Sequence, residues 1–135
     1  MTERELAKAA IDAMAHAYAP YSGFHVGAAL LTADGRVFTG CNIENAAFSP
    51  TVCAERTAVF KAVSEGTREF AMLAVVGGKD GQVSNLCPPC GVCRQVLCEF
   101  CPPDFPILLV KSETAWEKTT LAALLPRAFN MEGAL

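Results

Sequence analysis

The sequence predicts an α/β fold in which helices pack on a central sheet. Segments with helical spacing of apolar residues alternate with short apolar runs of strand length, and this alternation is typical of helix-covered sheets. The composition, 52% hydrophobic and 19% charged, excludes a disordered chain because the apolar surface is ample to drive collapse. A length of 135 residues fits one domain, which we expect to span residues 1–135.

The first predicted element is a helix that begins after Thr2. Glu5 stands three residues later, and the two side chains match the capping box that closes a helix N-terminus. Apolar residues then recur at helical spacing: Leu6, Ala10, Ala13, Met14 and Ala17. We expect this helix to reach about Tyr18 and to stop before Pro20, because a residue that precedes proline disfavours helical geometry.

A hairpin is predicted next. Residues 26–32 form an apolar run that indicates a buried strand. Asp34 and Gly35 supply an Asp-Gly turn signal, so residues 36–43 are expected to return as the second strand. Residues 45–50 are expected to form a loop.

The second half of the chain alternates helices with short strands. A helix is expected over 53–65, ended by Gly66, and another over 90–100, bounded on both sides by proline pairs. The continuous apolar run 70–76 predicts a strand buried on both faces. The remaining expectations are a loop at 77–86, a strand at 106–110, an edge strand at 116–120 and a helical turn at 121–125.

The order of these elements brings the two cysteine-bearing helices together. Because crossovers between parallel strands are right-handed, both helices are expected on one face of the sheet. Their N-termini are then expected at the same end of neighbouring parallel strands, where such sheets place their sites. Cys53, Cys90 and Cys93 all stand at these N-termini.

Charge and hydropathy exclude several function classes. The formal net charge is −3, and affinity for nucleic-acid phosphates depends on Lys and Arg, so no nucleic-acid partner is expected. No apolar run reaches the roughly 18 residues that a membrane span needs, so no membrane partner is expected. The segment 1–5 contains three charged residues and leads into an amphipathic segment rather than a signal peptide, so we expect a cytoplasmic protein.

The cysteines favour metal binding or catalysis. Seven is an odd number, so complete intramolecular pairing is excluded, and cytosolic thiols are kept reduced. Cys90 and Cys93 are three positions apart, which places both thiols on one face of a first helical turn. With Cys53 they offer three thiolates, and a catalytic zinc site combines three protein ligands with one open position.

Glu55 separates a catalytic interpretation from a structural one. It lies two positions after Cys53, beside the expected metal, and a carboxylate there can carry protons between a water nucleophile and a leaving amine. Two alternatives stay open at this point. Cys87 could complete a structural four-cysteine zinc site with Glu55 idle, or Cys90 and Cys93 could form a redox dithiol.

The motifs resemble those of one enzyme family over nearly the whole chain. Zinc deaminases carry a ligand followed two positions later by Glu, and then Pro-Cys-x-x-Cys. Here these segments are residues 53–55 and 89–93, and matching segments also occur at 21–29, 40–46 and 124–129. The chain therefore resembles the small cytidine deaminases with all-cysteine zinc ligands that form homotetramers.

This resemblance implies a three-layer α/β/α fold with a central mixed sheet of about five strands. It implies hydrolytic deamination of cytidine and 2′-deoxycytidine, with release of ammonia, in pyrimidine salvage. Each subunit is expected to hold one Zn²⁺ through Cys53, Cys90 and Cys93. The resemblance further implies that a zinc-bound hydroxide attacks C4 while Glu55 shuttles protons. A blasticidin-type deaminase for another small amine is the near alternative.

The resemblance also implies a set of substrate contacts. The backbone N–H of Ala54 is expected to hold the base carbonyl, and Asn42 and Glu44 to bind the ribose 3′-hydroxyl, which favours a nucleoside substrate. Phe24 is expected to pack against the substrate. Phe129 is expected to reach the site from a neighbouring subunit.

Three further residues matter to this resemblance. Arg56 is expected to donate to the thiolates, because three thiolates with Zn²⁺ leave a net charge of −1 that makes the metal less electrophilic. Phe48 stands where the family usually has Tyr. Residues 86–88 look like a local insertion, which adds the Cys87 thiol beside the metal ligands.

Overall fold

A five-stranded sheet forms the centre of the protein in a computed structural model that describes residues 1–131. The strands are β1 (Phe24–Thr32), β2 (Val37–Cys41), β3 (Phe70–Lys79), β4 (Pro106–Ser112) and β5 (Ala115–Thr120). They lie in the order β2-β1-β3-β4-β5, with β3 and β4 parallel and the other neighbouring pairs antiparallel. The predicted mixed sheet of five strands is confirmed. Residues 132–135 of the predicted domain lie outside the described residues.

Helices cover both faces of this sheet. They are α1 (Glu3–Met14), α2 (Ala54–Ser64), α3 (Gly91–Phe100) and the short α4 (Leu121–Leu124). The buried residues of α1 pack with one face of β1, β3 and β4. Those of α2, α3 and α4 pack with the opposite face. This arrangement confirms the three-layer α/β/α fold and places both cysteine-bearing helices on one side.

The central strands are buried on both faces. Along β3, Leu73 and Val75 belong to the core under α2 and α3, whereas Ala74 and Val76 belong to the core under α1. Successive side chains of a strand point to opposite faces, so a strand between two helix layers needs a continuous apolar run. This is why the run at 70–76 predicts the strand correctly.

A glycine brings α2 close to the sheet. A Cβ on Gly40 would lie 2.3 Å from the carbonyl oxygen of Ala54 and 2.6 Å from the backbone nitrogen of Ala58. No side chain fits between these backbones. The first turn of α2 is therefore held against β2, which fixes the position of the helix end that carries Cys53.

The first helix is shorter than the sequence predicts. Its capping box between Thr2 and Glu5 is present, but α1 ends at Met14 instead of about Tyr18. The Tyr18 N–H donates to the Asn42 carbonyl at 2.9 Å, and the Tyr18 carbonyl accepts from the Glu44 N–H at 2.8 Å. The backbone of Tyr18 is thus used in a tertiary bridge, and a helix through this residue would lose it.

Two more features differ from prediction. β3 continues to Lys79, although residues 77–86 were expected to be a loop, because Gly77, Gly78 and Lys79 pair with the first residues of β1. The strands that precede α2 and α3 are not neighbours, since β1 lies between β2 and β3. They still run in the same direction, because both are antiparallel to β1.

Within residues 1–131, no helix has the length and apolar character to cross a membrane.

Candidate active site

Three cysteine thiols meet where α2 and α3 begin. Cys53 is the N-cap of α2, Cys90 is the N-cap of α3, and Cys93 lies in the first turn of α3. The Cys90 sulfur lies 3.5 Å from the sulfurs of both Cys53 and Cys93, and all three lie within 4.8 Å of one another. Cys90 is exposed and Cys93 is buried, so one side of the cluster is open to solvent.

This donor set fits zinc. Zn–S bonds near ~2.3 Å in tetrahedral geometry place sulfurs about 3.8 Å apart, close to the separations found here. Thiolates are soft ligands that zinc prefers, and three of them leave the fourth position for water or substrate. The cluster therefore has the composition and spacing of a catalytic zinc site.

The cluster favours the thiolate form at Cys53. A hydrogen bond with Cys93 lowers the pKa of Cys53 to about 5 despite partial burial, and a hydrogen bond from Arg56 adds to the shift. The same sulfur contact raises the pKa of Cys93. The Arg56 Nη2 donates to the Cys53 sulfur at 3.3 Å. An arginine thus places a fixed positive charge beside the sulfurs.

Glu55 is a buried carboxylate beside the thiols. It lies in the first turn of α2 and is only 4% exposed. Burial raises the pKa of Glu55 to about 7, and the negative charge of Cys53 contributes to the rise. A buried group that titrates near neutral pH in a reactive cluster is suited to proton transfer.

Cys87 lies outside the group of close thiols. Among residues 1–131, the cluster with ligand atoms within 4.8 Å consists of Cys53, Cys90 and Cys93. The Cys87 sulfur instead packs over Gly77, beside the Phe24 ring. Burial raises the pKa of Cys87 to about 11, which keeps the thiol protonated at neutral pH. The described geometry does not support a four-cysteine zinc set.

Asn42 and Glu44 are bound by the protein itself. The Asn42 side chain accepts from the Val26 N–H at 2.8 Å and donates to the Phe24 carbonyl at 2.7 Å. The Glu44 carboxylate accepts from the N–H groups of residues 21 and 22 and from the Ser22 hydroxyl. Sequence reasoning did not predict these contacts, because they join residues that are far apart in the chain.

The remaining predicted residues lie on α2, on β1 and in the segment that follows α4. Ala54 is the first residue of α2, so its N–H has no partner within the helix. Phe24 is 40% exposed at the start of β1, and the edge of its ring lies over Gly77. Phe129 is 63% exposed, and its carbonyl accepts a hydrogen bond from the Gln95 side chain at 2.9 Å.

Arg94 supports the site, although the sequence analysis did not single it out. Its Nε donates to the Pro89 carbonyl at 2.7 Å and its Nη1 to the Leu124 carbonyl at 2.6 Å. Pro89 directly precedes Cys90. Arg94 therefore fixes the backbone that delivers a candidate ligand, and its position one residue after Cys93 was the available signal.

Comparison with known proteins agrees with this geometry. Residues 1–109 match the cytidine and deoxycytidylate deaminase zinc-binding region. The chain is 57% identical over 116 residues to the cytidine deaminase of Sporosarcina psychrophila, covering 86% of this chain and 82% of that protein. It is 49% identical over 132 residues to the cytidine deaminase of Halalkalibacterium halodurans, covering 98% and 97%.

A solved structure agrees as well. The crystal structure of cytidine deaminase from Burkholderia pseudomallei superposes with a TM-score of 0.87 at 47% identity, covering 96% of this chain and 100% of that chain. The fold, the three-cysteine cluster and the sequence match lead to one assignment. The chain belongs to the cytidine and deoxycytidylate deaminase family and is a zinc-dependent deaminase.

Proposed function

We propose that this protein converts cytidine and 2′-deoxycytidine, with water, into uridine and 2′-deoxyuridine and ammonia. The observation that carries the proposal is a buried Glu55 carboxylate beside a three-thiol zinc site. A structural zinc site has no use for this carboxylate, whose burial disfavours its charged form. A proton-transfer enzyme needs such a group near the nucleophile and the leaving amine.

Cys53, Cys90 and Cys93 would hold the zinc ion, which when bound would supply Lewis acidity that lowers the pKa of water. Glu55 accepts a proton from the attacking water and delivers it to ring N3. It then carries the second water proton to the amine that departs from C4 as ammonia. The raised pKa of Glu55 suits both directions of transfer.

Arg56 tunes the charge of the ligand set. Three thiolates and Zn²⁺ sum to a net charge of −1, which weakens the pull on the electrons of water. The guanidinium beside Cys53 and the N-terminal dipoles of α2 and α3 oppose this negative charge. Arg56 thereby keeps the site electrophilic without adding a ligand.

The base is held between backbone and ring. The Ala54 N–H donates to the carbonyl at C2, and a helix N-terminus provides such a donor without distortion. Phe24 packs against the nucleoside with the part of its ring that is exposed. These contacts orient C4 toward the zinc ligands.

The ribose is recognised by hydrogen-bonding positions on Glu44 and Asn42 that the protein itself does not occupy. An ionised carboxylate has about four acceptor positions, and the chain itself occupies three of those on Glu44. The remaining one can accept from the 3′-hydroxyl. Asn42 likewise has a second amide hydrogen beyond the one given to Phe24. These groups favour a nucleoside over another small amine substrate.

An absorbance assay with the zinc-loaded protein tests the proposal. Cytidine and 2′-deoxycytidine are each incubated with the protein, and the loss of cytosine absorbance and the ammonia released are measured. The proposal requires steady turnover with one ammonia per uridine. Absence of turnover on both nucleosides by folded, zinc-loaded protein contradicts it and points to another amine.

We further propose a cytoplasmic enzyme of pyrimidine salvage that works as a homotetramer. Reduced thiols are needed as ligands, and all seven cysteines are free. Several large apolar side chains are exposed for a chain of this size, which favours subunit contacts. Phe48 is 74% exposed and contacts Tyr21 edge-on, with ring centroids 6.2 Å apart. Phe129 reaches the site of a neighbouring subunit in this proposal.

Mixed tetramers test the shared site. Glu55→Gln and Phe129→Ala are each expected to be poorly active alone, because one lacks the proton carrier and the other lacks an aromatic contact to substrate. Co-expression of the two variants, with different tags for purification of hybrids, should restore activity. In random hybrids about a quarter of the sites combine both native residues. Hybrids no more active than the two parents would contradict a site shared between subunits.

A further inference from the structure

The turn that leads into β1 links two proposed substrate-binding residues. The Ser22 hydroxyl donates to Oε2 of Glu44 and accepts from the Phe24 N–H at 3.0 Å. The Ser22 N–H also donates to Oε1 of Glu44 at 3.1 Å. One serine therefore contacts the carboxylate proposed for the ribose and the backbone of the ring proposed to pack on the nucleoside.

The same turn is fastened on its other side to β3. The Lys79 ammonium donates to the Ser22 carbonyl at 2.7 Å, and the Asp80 N–H donates to the Gly23 carbonyl at 2.7 Å. Lys79 is also the strand partner of Phe24. These two contacts hold the turn backbone without the serine hydroxyl. Removal of the hydroxyl is therefore expected to leave the fold of the turn intact.

The hydroxyl determines how Glu44 presents its free acceptor position. Both backbone donors, from Tyr21 and Ser22, bind Oε1, whereas the hydroxyl is the donor found on Oε2. Without it, the carboxylate can rotate about its terminal bond, since such torsions have broad minima. The hydrogen bond from Ser22 also lowers the pKa of Glu44, which keeps the carboxylate ionised and acceptor-only.

We propose that Ser22 is a positioning residue for nucleoside recognition, whose hydroxyl fixes the Glu44 carboxylate and the start of β1 at Phe24 relative to each other. The inference rests on the proposed function, because it gives Glu44 a ribose hydroxyl to bind. Ser22 itself acts through Glu44 and does not touch the reacting atoms. Its loss should therefore weaken substrate binding more than it slows the chemistry.

The test compares Ser22→Ala with Ser22→Thr on cytidine and on 3′-deoxycytidine. A hydrogen bond to a charged group typically affects binding by about tenfold, so Ser22→Ala should raise KM for cytidine by about tenfold with kcat changed less. On 3′-deoxycytidine, which lacks the hydroxyl that Glu44 would bind, the loss in kcat/KM should be about tenfold smaller. Ser22→Thr keeps a hydroxyl, so its KM for cytidine should be close to that of the native protein.

Ser64→Ala is the matched control. This serine is exposed at the far end of α2, where its hydroxyl donates to the Lys61 carbonyl at 2.9 Å. Ser64→Ala should leave KM and kcat unchanged for both substrates. Zinc content and melting temperature of every variant are measured on the same samples. As a second measurement, Ser22→Ala is combined with Glu44→Gln, where it should have less than about a twofold further effect.

The inference would be overturned if Ser22→Ala lowered kcat/KM equally for cytidine and for 3′-deoxycytidine. It would also be overturned if Ser22→Ala caused its full loss of kcat/KM in the Glu44→Gln background. An unchanged KM for cytidine in Ser22→Ala would overturn it too. If the native protein still turns over cytidine in that case, the proposed function stands and only the inference fails. If the native protein does not deaminate cytidine at all, the proposed function fails first and the inference fails with it.

Discussion

Replacing Glu55 with glutamine is expected to lower kcat for cytidine by about a thousandfold, within the range that general acid–base catalysis contributes. Glutamine has nearly the same shape and still forms hydrogen bonds, but it does not accept and return a proton at neutral pH. Glu55 is 4% exposed, so bulk water is poorly placed to replace it as the proton carrier. The measurement is the absorbance assay with cytidine at saturating concentration, with zinc content determined on the same sample.

Glu65→Gln provides the matched control for this experiment. Glu65 is the C-cap of the same helix and is exposed, so the same substitution there should leave kcat unchanged. If Glu55→Gln retained turnover within about tenfold of the native enzyme while binding full zinc, proton transfer through this carboxylate would be refuted.

The stability of Glu55→Gln provides an independent check on burial. Because the folded-state pKa is raised to about 7 from an ordinary value of 4.5, the fold favours the protonated carboxyl. That contribution to stability is present below about pH 4.5 and is lost as the pH rises through 7. Glutamine stays neutral throughout, so the variant should melt no lower than the native protein at pH 8.

The sequence predicted those features that depend on local pattern. The capping box of α1 needs only Thr2 and Glu5 in register, and the helix stop after α2 needs only a residue that tolerates positive φ. Gly66 has φ +93° and ends that helix as expected. The cluster of Cys53, Cys90 and Cys93 was predictable because each cysteine stands at a helix start, where chain direction and layer order determine its position.

Features that depend on distant residues were not predictable in the same way. The end of α1 depends on the bridge between Tyr18 and the segment that contains Asn42 and Glu44. The extension of β3 through Gly77 and Gly78 depends on pairing with β1, and two glycines have low strand propensity by themselves. In both cases tertiary hydrogen bonds outweigh the local signal.

The residues proposed to bind substrate also combine a feature that the sequence predicted with one that it did not. Motif resemblance singled out Asn42 and Glu44, but not the hydrogen bonds that hold them. Alternation along a strand predicts on which face of the sheet a side chain lies. It does not predict which backbone N–H groups, about twenty residues away in the chain, will donate to that side chain. Ser22 lies in the matching segment 21–29, but nothing in the sequence distinguished it from its neighbours, although its hydroxyl contacts both Glu44 and Phe24.

Cys93→Ala is expected to abolish stable zinc binding and activity together. Cys93 is fully buried, and its sulfur lies 3.5 Å from that of Cys90. Its removal leaves two thiolates where zinc needs a minimum of three protein ligands to stay bound with an open position. After dialysis against a chelator, the native protein should retain about one zinc ion per chain and the variant almost none, as measured by elemental analysis.

Cys87→Ala decides between the catalytic and the structural interpretation of the same metal. Its sulfur lies over Gly77, outside the cluster that Cys53, Cys90 and Cys93 form with ligand atoms within 4.8 Å of one another. The variant should therefore keep its zinc and turn over cytidine at a rate close to native. Zinc loss equal to that of Cys93→Ala would instead identify Cys87 as a fourth ligand, which would close the coordination position that a substrate water requires. Retention of both metal and turnover leaves that position open, and Glu55 is then the carboxylate beside it.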